Sequence, residues 1–103
     1  MGKKRPYQER VIRRAREVFR LSRRLAEAIY YASKSMCNVR IGEVMGISPR
    51  TVEGHLAKVY VKMGVRSRVE AVLEFERKVA SMEPPDDFEG DDKEGQDQPP
   101  APG

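Results

Sequence analysis

From Tyr7 to Met82 apolar residues recur at spacings of three and four, so the chain reads as a succession of amphipathic helices. Tyr7, Val11, Ala15, Val18 and Phe19 outline a first helix ending near Arg20. Arg10, Arg13, Arg14 and Arg16 lie on its other face, with Glu9 and Glu17 as local partners. Leu21-Ser22 supplies a fresh N-cap, and Leu25, Ala28, Ile29 and Ala32 form a second apolar stripe. The residues Arg20 to Ser22 are compatible with either a break or a bend between these two helices. Ile41, Val44 and Met45 then mark a short helix. Gly46 follows where a left-handed C′ residue ends it, because a residue without Cβ adopts that conformation cheaply. Ile47 plugs the turn, Ser48 is placed to cap the next helix, and Pro49 suits N1, where its missing N–H costs nothing.

In the helix that begins at Pro49, Val52, Leu56, Val59 and Met63 stack into one core-facing stripe at about 100° per residue. Arg50, Glu53, Gly54, Ala57 and Val61 occupy another arc, about 100° wide. Val61 is the only large apolar group on that arc, and Gly54 and Ala57 leave room for close approach. A polar face of low relief opposite a core stripe is what a helix entering the major groove requires. Lys58, Lys62 and His55 flank the arc, within reach of phosphates. Gly64 closes this helix and Val65 staples its end. Ser67 caps a last helix carrying Val69, Val72, Phe75, Val79 and Met82. Leu73 adds a second apolar side, which suits either a thick core contact or one face for the core and one for a partner. A short helix, a tight turn and a capped second helix make a helix-turn-helix.

Composition changes this picture in two ways. With 39% hydrophobic and 35% charged residues in 103, the core is small and dimerisation or an additional packed helix is favoured. The net charge of +4 is also unevenly spread: residues 1–24 carry +8, residues 25–82 carry +3, and residues 83–103 carry −7. The excess positive charge of the first 82 residues is the footprint of a polyanion partner. From Glu83 onward the sequence is acidic and rich in Pro and Gly, and is expected to be disordered. The single cysteine, Cys37, excludes an internal disulfide framework, and no residue cluster suggests a metal or other cofactor. His55, the one histidine, has no nucleophile or carboxylate constellation around it in sequence, so no enzymatic activity is expected. Uncharged stretches such as residues 28–33 are too short to cross a membrane, and a cytoplasmic location is expected.

Residues 21–79 resemble the C-terminal DNA-binding domain of the LuxR/FixJ/GerE family. The likeness rests on Leu21-Ser22 with Arg24 and Glu27, on Asn38 and Ile41, and on Gly46-Ile47-Ser48. Thr51-Val52, His55, Lys62, Gly64-Val65, Arg68 and Glu70-Ala71-Val72 complete it. The resemblance implies a four-helix domain that docks as a homodimer on paired half-sites of double-stranded DNA, with Pro49–Met63 as recognition helix. It places Glu53, Gly54 and Ala57 toward the bases, where the open arc of the helix also puts Arg50, and Thr51, Lys58 and Lys62 toward the phosphate backbone. It assigns the dimer contact to Val72, Phe75 and Val79. Glu53 stands where the family usually has a basic residue, which implies an altered base preference, since Glu accepts a hydrogen bond from cytosine N4. Ser35, Val39 and Arg40 replace the usual Gly, Lys and Glu. No receiver or ligand-binding domain precedes the motif in this sequence, so control through such a domain on the same chain is not expected.

The sequence thus predicts an all-α protein. Residues 1–20 form a basic arm and an extra helix, residues 21–82 a LuxR-type domain, and residues 83–103 an acidic tail. Its expected function is transcriptional regulation by sequence-specific DNA binding. Two rivals are an RNA polymerase adaptor of sigma-region-four-like or phage type, and a protein-interaction module that has lost DNA binding.

Overall fold

The computed structural model describes residues 5–84, so most of the basic arm and all of the acidic tail beyond Pro84 lie outside it. Five α-helices follow one another among the described residues, with no strand: α1 Tyr7–Phe19, α2 Arg23–Ser33, α3 Asn38–Met45, α4 Pro49–Met63 and α5 Arg68–Lys78. A short 3-10 turn, Ala80–Met82, follows them. The all-α architecture with an added N-terminal helix is as the sequence predicts.

The link between α1 and α2 is a break. Arg20 takes a left-handed conformation (φ 58°, ψ 47°), and the N–H groups of Arg20 and Leu21 both bond back to the Arg16 carbonyl. That conformation costs a residue bearing a Cβ about 1–2 kcal/mol. Ser22 then caps α2, its hydroxyl accepting from the Leu25 N–H at 3.3 Å.

The chain is built around α2, which packs against α1, α4 and α5. Leu25, Ala26, Ala28, Ile29, Tyr30 and Ala32 are all buried, and the three alanines let neighbouring helices approach closely. Helix α1 contributes Val11, Ile12, Ala15 and Phe19 to the same core. The expected stripe on α1 is corrected at two positions: Val18 is exposed and Ile12 is fully buried. The buried arc is rotated toward Ile12 and Phe19, which leaves Val18 at its edge.

The end of the described residues, from Val79 to Pro84, closes onto α1. Val79 leaves the helical conformation (φ −124°, ψ −65°), and Val79 and Ala80 are buried. The Tyr7 hydroxyl donates to the Ala80 carbonyl at 3.4 Å. The Glu83 carboxylate accepts from Arg10 at 3.1 Å and from Arg14 at 2.8 Å, and Arg10 also donates to the Pro84 carbonyl. Burial pushes the Glu83 carboxyl up, but the two arginine hydrogen bonds outweigh it and hold the group below the usual carboxylate range. Helix α1 is therefore joined to the rest of the chain by its apolar stripe and by this polar clasp.

Candidate nucleic-acid interface

The helix-turn-helix is formed by α3 and α4. Gly46 ends α3 in the left-handed region (φ 73°), and the Ile47 N–H bonds back to the Gly42 carbonyl at 2.9 Å. A Cβ on Gly42 would lie 2.5 Å from the Ile47 carbonyl oxygen, so the chain folds back this tightly only because position 42 has no side chain. Nothing in the helical spacing marks Gly42, because the contact that requires a glycine, the Ile47 carbonyl, lies in the turn beyond its own helix. The Met45 carbonyl, at the end of α3, accepts from Arg24 Nη2 at 2.8 Å, tying the turn to the first turn of α2. Ser48 caps α4 by accepting from the Thr51 N–H at 3.1 Å, with Pro49 at N1.

A second anchor holds the start of α3. Arg68 donates to Asn38 Oδ1 at 2.9 Å and to the Met36 carbonyl, joining α5 to the loop before α3. In that loop Ser35 has φ 67°, a conformation glycine adopts most cheaply. Val39 and Arg40 are exposed on α3. Val44, expected on its core face, is exposed as well. The buried face of this short helix is Ile41, Gly42 and Met45.

Along α4, Val52, Leu56 and Val59 are buried and Met63 is half-buried, as the stripe predicts. The opposite arc is open: Arg50, Glu53, Gly54 and Ala57 are exposed, and Val61 is 79% exposed. Thr51, Lys58 and Lys62 beside it are exposed too, with the Thr51 hydroxyl 3.0 Å from that of Ser48. Among the described residues, Arg50, Glu53, Lys58 and Lys62 take part in no salt bridge within 4.0 Å. Apart from its chain neighbours and the backbone of its own helix, no heavy atom lies within 4 Å of where a Cβ on Gly54 would sit. The fold therefore does not need a glycine there, although glycine inside a helix costs about 1 kcal/mol relative to alanine.

His55 is half-buried on the flank of this arc. Burial, and then the charges of Arg24 and Lys58, lower its pKa below the ordinary imidazole value, so the ring is neutral at neutral pH. Among the described residues there is no group of three or more His, Cys, Asp or Glu side chains able to hold a metal ion. No helix there is long and apolar enough to cross a membrane.

On α5 the structure separates the three residues assigned to a dimer contact. Phe75 and Val79 are 0% exposed and belong to the core, so the assignment is corrected for both; Val72 is half-buried. Phe75 packs edge-on against Tyr30 of α2, with ring centroids 6.5 Å apart. The apolar side chains that α5 presents outward are Val69, 68% exposed, and Leu73, 63% exposed. They stand one helical turn apart.

Residues 20–75 match the family described as bacterial regulatory proteins, luxR family. Proteins named "Putative HTH-type transcriptional regulator" in Mycobacterium bovis and Mycobacterium tuberculosis are 38% identical over 52 residues. The aligned stretch is 50% of this chain and 6% of each of those proteins. No solved structure matches the chain significantly.

Proposed function

The chain belongs to the luxR family of bacterial regulatory proteins, and on that premise we propose that it binds double-stranded DNA sequence-specifically as a transcriptional regulator, with α4 in the major groove. The observation that carries this reading is the open arc of α4. Gly54 and Ala57 give it low relief, Arg50 and Glu53 offer polar groups without ion-pair partners among the described residues, and nothing among those residues requires Gly54 to lack a side chain. Arg50 and Glu53 are assigned to base edges, with Gly54 and Ala57 admitting the groove wall. Thr51, Lys58 and Lys62 are assigned to flanking phosphates. Dimerisation on paired half-sites would use Val69 and Leu73 of α5, with Val72 at the rim.

An electrophoretic shift with random genomic fragments, run at low and moderate salt, tests the reading. Retarded complexes whose affinity falls steeply with salt are expected, at a slope of about −0.9 per phosphate contacted. The double variant Lys58→Ala, Lys62→Ala should flatten that slope. Absence of any complex at low salt would sink the DNA reading and leave the protein-interaction module in its place.

A further inference from the structure

Outside the helix-turn-helix, α1 and the start of α2 enclose an open cleft of about 570 Å³ whose lining includes Arg5, Arg13, Arg16, Arg20 and Arg23, together with Glu9 and Glu17. Five arginines thus face two carboxylates. Glu9 is taken up by Arg23, whose guanidinium also bonds Glu27, and Glu17 lies 3.7 Å from Arg13. Arg16 and Arg20 make no ion pair among the described residues and are exposed. At about 100° per residue, Arg13 and Arg16 lie within a narrow arc of α1, and Arg20 follows its last residue as the left-handed cap.

We propose that this arginine cleft is a second phosphate site, which holds the DNA backbone flanking the half-site read by α4; the proposal rests on the DNA reading above. Three observations support it. The first is the uncompensated charge of Arg16 and Arg20, of the sign and type that pairs with phosphate. The second is backbone conformation: Arg20 stands in the left-handed region, where glycine would fit without strain, so the fold alone does not favour arginine there. The third is position. Arg23 lines the cleft, and its neighbour Arg24 touches the Met45 carbonyl at the turn of the helix-turn-helix. The cleft and the turn before α4 therefore both adjoin the first turn of α2, so a duplex running on from α4 toward that end would meet the cleft. The acidic C-terminal segment is the rival occupant: the described chain ends at Pro84 beside Arg10, and Glu83 shares an adjoining recess with Arg5, Arg13 and Glu17.

The test compares the full chain with an Arg16→Gln, Arg20→Gly double variant on random-sequence duplexes of about 10 and about 30 base pairs, roughly one and three helical turns. Arg20→Gly removes the charge while relieving the backbone, so thermal unfolding should show no loss of stability. On the long duplex the salt slope of the variant should be shallower by about 0.9 for each phosphate contact removed, roughly 2 per bound copy. On the short duplex the two proteins should bind alike. Equal slopes on the long duplex, or an equal loss on both, would overturn the cleft proposal while the DNA reading stands. Failure of the unaltered chain to bind either duplex would overturn both.

Discussion

Arg24 Nη2 donates to the Met45 carbonyl at 2.8 Å while its Nη1 is held by Glu27 at 3.0 Å. One guanidinium, braced from within α2, thereby fixes the carbonyl at the end of α3 from which the turn departs. A charge-assisted bond to a helix C-terminal carbonyl also complements the negative end of the helix dipole.

Arg24→Ala should therefore loosen the turn more than it destabilises the fold. The side chain is about half exposed, so a stability loss of only about 1 kcal/mol is expected in chemical denaturation. DNA affinity should fall by more than the lost charge alone explains, since the angle between α3 and α4 is no longer held. Lys at position 24 should restore the charge but only part of the affinity, because it lacks the forked donor set. Full rescue by Lys would show that charge, and not the lock, is what matters.

Phe75 and Leu73 allow folding and the proposed dimer contact to be tested separately on one helix. Phe75→Ala empties a fully buried site and should cost about 3–5 kcal/mol, seen as a large drop in melting temperature. Leu73→Glu places a charge on an exposed position and should leave the melting temperature of the monomer nearly unchanged while abolishing the dimer in sedimentation. A Leu73→Glu protein that still sediments as a dimer would move the contact away from α5.

Glu53 should act as a selector. Replacing it with Ala should relax preference at one base pair, removing about 1–3 kcal/mol of discrimination, and leave affinity for unrelated DNA equal or higher. Selection from a random pool reads this directly. Identical preferences for both proteins would mean that Glu53 does not face the bases.

His55 gives a pH signature. Its folded-state pKa lies below the ordinary value of 6.5, through burial first and then Arg24 and Lys58, so the unfolded chain binds the proton more readily. The sign follows: this histidine lowers stability as pH falls through the unfolded value toward the folded one, and has no such effect above it. NMR titration should place the imidazole below 6.5 in the free protein, with Arg24→Ala raising it. DNA phosphate should raise it further, by opposing the repulsion from the two cations. An imidazole titrating at or above its ordinary value in the free protein would remove the basis for this expectation.

The acidic segment can be tested without disturbing the fold if the cut follows Pro84, because Glu83 belongs to the clasp on α1. Residues 85–103 hold seven Asp/Glu and one Lys, a charge of −6. Tethered to a basic domain, such a segment would compete for the proposed DNA-facing surface at an effective concentration of order millimolar. Removal should tighten binding to random DNA at low salt, with a smaller gain as the Debye length falls to about 8–10 Å. Equal binding at low salt would leave the segment a solubilising role only.

The caps and turns were legible because they depend on neighbours in sequence. Ser22, Ser48 and Ser67 each accept the N–H three residues ahead, and Gly46 and Gly64 are left-handed where the apolar runs stop. The two faces of α4 were legible for the same reason, since a helix of 15 residues repeats its period long enough to define a stripe. What periodicity could not decide was which of two adjoining apolar positions faces inward at an edge. Val18, Val44, Val69 and Leu73 have the residue type of the core but lie on the surface, while Ile12 and Phe75 are turned inward by packing against α2 and its neighbours. Long-range polar ties were equally silent in sequence: Arg24 to Met45, Arg68 to Asn38 and Glu83 to Arg14 join residues 21, 30 and 69 positions apart. Local spacing determined the helices, their ends and the motif. Only tertiary packing decided which arginines are spent on structure and which are left facing outward.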